Sequence, residues 1–72
     1  MTGVQLIQLL AQEYVSISQQ LAYYVAKKNA PQIAKYEREQ HEAAMKLMVT
    51  LAGYHGFTVQ DFADAVERAN NG

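Results

Sequence analysis

From Gly3 onward, apolar residues return at alternating steps of three and four: Ile7, Leu10, Tyr14, Ile17, Leu21 and Tyr24. That spacing lays a stripe along one side of an α-helix. Val4, Ala11, Val15, Ala22 and Val25 widen the stripe on one flank and Leu6 on the other, so about half of the helix circumference is apolar. Thr2 stands three positions before Gln5, as in a capping box, and the first 28 residues contain no proline and one glycine. These signals predict a first helix over 3–28. Lys27 and Lys28 suit the negative end of its dipole, and Asn29 is able to take the left-handed conformation that closes a helix.

Ala30-Pro31 opens a second pattern, because proline is tolerated in a first turn where its missing N–H would have no partner. This helix is predicted over 31–54, ended by Gly53 and Gly56 around Tyr54 and His55. Its apolar side holds Ile33, Tyr36, Ala44, Leu47, Met48 and Leu51; Lys35, Arg38, Glu39, Glu42 and Lys46 line the other side. A link of a few residues forces the two helices antiparallel, as a hairpin. A third, shorter helix is predicted over 59–70, capped by Thr58 and Asp61 and stapled by Phe57 and Phe62. Val59, Phe62, Ala63, Val66 and Ala69 give it an apolar face, and Asn70-Asn71-Gly72 is expected to fray.

The expected fold is therefore all-α, a long antiparallel hairpin with a short C-terminal helix in a single domain, 1–72. A first helix of roughly 26 residues would be nearly 40 Å long, more than a domain of this mass needs to bury. Seventy-two residues make a marginal core, and with no cysteine there is neither a disulfide nor a thiolate metal site to support it. Oligomerisation remains. One hairpin neighbour covers only a narrow seam, so the wide face of the first helix asks for a second copy related by a two-fold axis, giving a four-helix core. Ile7, Leu10, Tyr14, Ile17, Leu21 and Tyr24 are the expected dimer seam.

Six Lys plus Arg against seven Asp plus Glu leave a net charge of −1, without a basic field for a phosphate backbone. The segment from Phe57 to the end is acidic, with Asp61, Asp64 and Glu67 against Arg68. No apolar run reaches the roughly 20 residues a bilayer requires and no cationic leader opens the sequence, so a cytoplasmic protein is expected.

Candidate chemistry is sparse. Glu37, Gln40 and His41 project into the apolar sector of the second helix, near His55, and are expected to form a buried polar layer that fixes register. A carboxylate and an imidazole one turn apart also suit a metal ion, but the ferritin-like spacing needs Glu three residues before His, where Arg38 stands; no metal or cofactor is expected. Tyr23 lies on the polar side of the first helix with Gln12, Ser16, Gln19 and Lys27; Tyr23, Gln19 and Lys27 are the candidate contact with a partner protein. The stretch Ala52 to Phe62, with Gly56 in its turn, is similar to a helix-turn-helix, although a reading helix bearing Asp61, Asp64 and Glu67 would be repelled by phosphates. Ser16 and Ser18 lack a nucleophile elbow and no phosphate-cradling loop occurs, so no enzyme is expected. The sequence points to a helical homodimer that binds a partner protein as an adaptor, inhibitor or regulatory subunit, in the manner of a bacterial or phage accessory protein. A DNA-binding transcriptional regulator using Thr58 to Ala69 is the alternative.

Overall fold

The computed structural model describes residues 3–54 and 58–71 of the chain. Three helices follow one another: α1 (Gly3–Ala26), α2 (Ala30–Tyr54) and α3 (Val59–Asn71). α1 and α2 form the expected antiparallel hairpin, whose length sets the 38 Å long dimension of the molecule. α3 packs mainly against α1 near the open end of the hairpin and touches α2 less.

The turn between α1 and α2 is built differently from the sequence expectation. α1 ends at Ala26, and Lys28, not Asn29, takes the left-handed conformation, with φ of 57°. The Lys28 N–H donates to the Val25 carbonyl and the Asn29 N–H to the Tyr24 carbonyl, both at 3.1 Å, which satisfies the carbonyls that a helix end leaves open. Asn29 is thereby freed to start α2. Its backbone carbonyl accepts from the Ile33 N–H at 2.9 Å and its side-chain Oδ1 from the Gln32 N–H at 3.5 Å.

At the start of α3 the Thr58 N–H donates to Asp61 Oδ2 at 3.0 Å, and the Asp61 N–H donates to Thr58 Oγ1 at 3.2 Å, the reciprocal cap expected there. The caps at Thr2 and the staple partner Phe57, with His55 and Gly56, lie outside the described residues. α2 continues through Gly53 to Tyr54, and α3 through Asn70 to Asn71, where fraying was expected.

The core sits where all three helices meet. Leu47 (0% exposed) and Leu51 from α2 insert between Ala11 (1% exposed) of α1 and Ala65 of α3, with Ile7, Leu10, Phe62, Val66 and Ala69 packed around them. Small alanines on α1 and α3 let the two backbones approach over the leucines. α3 keeps Phe62, Val66 and Ala69 of its expected face on the core but is rotated within it, so that Ala65 is buried while Val59 and Ala63 face outward, Val59 at 80% exposure. Phe62 fixes that rotation by meeting Tyr14 edge to face, with ring centroids 5.4 Å apart. Ala43 and Val15 complete the buried set along the hairpin.

Candidate functional site

The closed end of the hairpin carries a cluster of aromatic rings and cations. The last turns of α1 supply Tyr23 and Tyr24, and the second turn of α2 supplies Lys35 and Tyr36. Tyr24 and Tyr36 stack across the two helices at 5.3 Å with an interplanar angle of 11°, and Tyr23 stands edge-on to Tyr24 at 5.1 Å. Lys27, one turn beyond Tyr23, places its Nζ 5.5 Å from that ring centre, and Lys35 places its Nζ 5.3 Å from the ring of Tyr36. These are separations at which an ammonium is attracted to a ring face. No acidic residue occurs between Glu13 and Glu37, so Lys27 and Lys28 have no acidic neighbour along the chain, while Glu37 and Glu39 follow Lys35 within one turn.

Gln19, Tyr23 and Lys27 follow one another at steps of four, and all three are exposed, Tyr23 at 56%. They form one continuous row on the outside of α1, where sequence periodicity placed them. Lys35, Tyr36 and the left-handed Lys28 were not anticipated there. Their signal in the sequence is the short link itself, which brings residue 24 against residue 36.

The six residues expected between two copies are half-buried within one chain. Ile7 and Leu10 pack on the core, Tyr14 meets Phe62 and Tyr24 meets Tyr36. Much of the stripe is thus spent on α2 and α3. The expected polar layer is not buried within the chain either. Glu37 and His41 are exposed and line an open groove with Tyr14, Leu21, Gln40 and Ala44. They sit on the flank of α2, because its contact line with α1 runs through Tyr36, Gln40, Ala43 and Leu47. Only Gln40 enters the seam, where its Nε2 donates to Ser18 Oγ at 2.9 Å while Ser18 donates to the Tyr14 carbonyl at 2.8 Å. Ser18 was missed as a partner because a serine inside a helix gives no pattern of its own.

No group of three or more His, Asp or Glu able to hold a metal ion occurs among the described residues. None of the described helices is long and apolar enough to cross a membrane. Residues 55–57, the turn of the segment similar to a helix-turn-helix, lie outside the described residues. In α3, Asp61 and Asp64 line a groove of about 340 Å³ with Ile7, Gln8, Leu51 and Arg68, and Gln60 donates to Asp64 at 2.8 Å. Scanned against protein-family models, curated proteins and solved structures, the chain matches none of them.

Proposed function

We propose that the protein is a non-enzymatic helical homodimer that binds a partner protein through the closed tip of its hairpin, acting as an adaptor, inhibitor or regulatory subunit. A cytoplasmic accessory protein of a bacterium or phage fits this reading. The observation that carries it is the exposed row Gln19, Tyr23, Lys27, in which the Tyr23 ring lies between Tyr24, perpendicular to it, and the Lys27 ammonium. An aromatic ring already fixed by its neighbours loses little freedom on contact, so more of its buried area becomes affinity. The left-handed Lys28 supports the same reading. Glycine would hold that position without strain, whereas lysine there costs about 1 kcal/mol and adds a third charge to Lys27 and Lys35.

The test is capture from a lysate by tagged wild-type protein and by Tyr23→Ala and Val59→Ala. A defined protein held by the wild type and by Val59→Ala, and lost with Tyr23→Ala, is the expected outcome. Undiminished capture by Tyr23→Ala moves the contact surface elsewhere. Salt-dependent retention on DNA in place of protein capture favours the transcriptional regulator.

A further inference from the structure

The chain leaves an apolar groove on a side of the hairpin that α3 does not reach. Leu6 and Leu10 of α1 face Met45 and Val49 of α2 across it, with Lys46 and Thr50 at its edge. Val49 is 67% exposed, and Leu9 and Met45 are each about half exposed. We infer that a second copy of the chain docks on this groove, about a two-fold axis that crosses the hairpin and sends the two tips to opposite ends. The inference rests on the dimeric reading above and names the face and the arrangement.

Three observations carry it. The first is area. A compact monomer of 8.1 kDa is expected to expose about 4,500 Å², whereas this chain exposes 5044 Å². The excess belongs to the chain as a whole, and Val49 at 67% and Met45 at 47% exposure place an apolar share of it on this groove. The second is the poverty of the core, in which Leu47 is the largest side chain fully buried among the described residues. Burial that completes the fold is needed whenever the chain is folded, and another copy is the partner present in step with every chain. A groove walled by two antiparallel helices also suits a contact in which the same patch serves both partners.

The third observation is charge, which selects the direction of the axis. An axis running along the hairpin would set two tips side by side, bringing Lys27 and Lys28 of each copy together with no acid from Tyr14 to Tyr36, Glu37 and Glu39 lying farther from the turn beside Lys35 and Arg38. An axis across the hairpin separates those like charges and leaves the row Gln19, Tyr23, Lys27 free at both ends of the dimer. The sequence signal for this face is Leu6 with Leu10 at the flank of the α1 stripe, and Met45 with Val49 on α2. Met45 and Val49 interrupt the otherwise polar side of α2, at the level of Leu6 and Leu10 in the antiparallel hairpin.

Sedimentation of the full chain at micromolar concentration tests the proposal, with Val49→Lys, Met45→Lys and the remote control Val59→Lys. The wild type and Val59→Lys are expected at twice 8.1 kDa. Val49→Lys and Met45→Lys each place a cation beside Lys46 of both copies and should weaken the dimer by about 100-fold. If the separated chains also lose helix, helicity that recovers on concentration supports the proposal equally. Dimer mass retained by both groove variants refutes the face while leaving a dimer standing. A wild type at 8.1 kDa across the range refutes the dimer itself. A spin label at Lys28→Cys, in a chain without other cysteines, reads the arrangement. A distance between the two labels beyond the 38 Å length of one hairpin is expected, and labels side by side overturn the crossed axis.

Discussion

The two ends of the hairpin hold together by different means. At the open end three helices converge, and Leu47 and Leu51 close a small hydrophobic core over Ala11 and Ala65. At the closed end the aromatic contacts among the described residues are made by α1 and α2 alone, the end of α3 at Asn70 reaching only as far as Gln19 and Ala22. Tyr24 is stacked on Tyr36, and Tyr23 and Lys27 extend that contact outward. The open end buries aliphatic volume and excludes water; the closed end relies on ring faces and cations that remain half wet. The difference assigns the stability of the chain to one end and leaves the other end able to present side chains to a partner.

The largest effect should come from emptying the three-helix core. Leu47→Ala removes the large side chain at 0% exposure among the described residues and leaves a cavity that alanine neighbours cannot fill, a loss of about 3 kcal/mol. In a chain of this size that is a large share of the total, so loss of the cooperative thermal transition is the expected outcome. Tyr36→Leu, at the other end, keeps the apolar volume and removes the stacked ring, a loss of about 1 kcal/mol by urea denaturation. Equal losses from the two variants would erase the contrast between the ends.

Two backbone changes sharpen the comparison in the opposite direction. A Cβ added at Gly53 meets nothing within 4 Å, and this glycine lies within α2, so Gly53→Ala should raise stability by about 0.5–1 kcal/mol. Lys28→Gly should raise it by about 0.5 kcal/mol, because glycine relieves the left-handed strain but brings more freedom to the unfolded chain. Each increment is readable as a rise in melting temperature of a few degrees. A fall with Lys28→Gly would mean that the lysine side chain itself holds the turn.

Periodicity made the architecture legible: three helices, the hairpin and the cap at Thr58 and Asp61 follow from apolar spacing, one proline and one Thr/Asp pair. It misjudged rotation. Ala63 and Ala65 are equally apolar on paper, and the choice between them was settled by where Phe62 finds Tyr14, a contact between residues far apart in sequence. The same reason explains Glu37 and His41. At about 100° per residue Glu37 stands about 60° and His41 about 100° from Gln40, on the side of Ala44 and Met48, and which flank of a broad apolar sector meets α1 is fixed only by the crossing line. The row Gln19, Tyr23, Lys27 was legible because it depends on α1 alone. The cross-helix half of the tip, Tyr36 and Lys35, needed the turn to be placed.

Tyr23 yields the smallest stability effect and the sharpest functional one. Its ring is more exposed than buried, and within the chain it meets Tyr24 at right angles and the Lys27 ammonium. Exposed contacts of that kind are each worth a fraction of a kcal/mol to about one, and water replaces part of them on truncation. Tyr23→Ala should therefore cost about 0.5 kcal/mol in a urea melt and leave helicity and the mass in solution unchanged. The same change should weaken partner capture by tenfold or more, as loss of a central aromatic contact does at protein interfaces. Tyr23→Phe separates the ring from its hydroxyl: capture kept by phenylalanine assigns the contact to the ring face, and capture lost assigns it to a hydrogen bond from the phenol. If Tyr23→Ala instead melts the protein by several kcal/mol, the closed end contributes to stability as the open end does, and the division of labour between them fails.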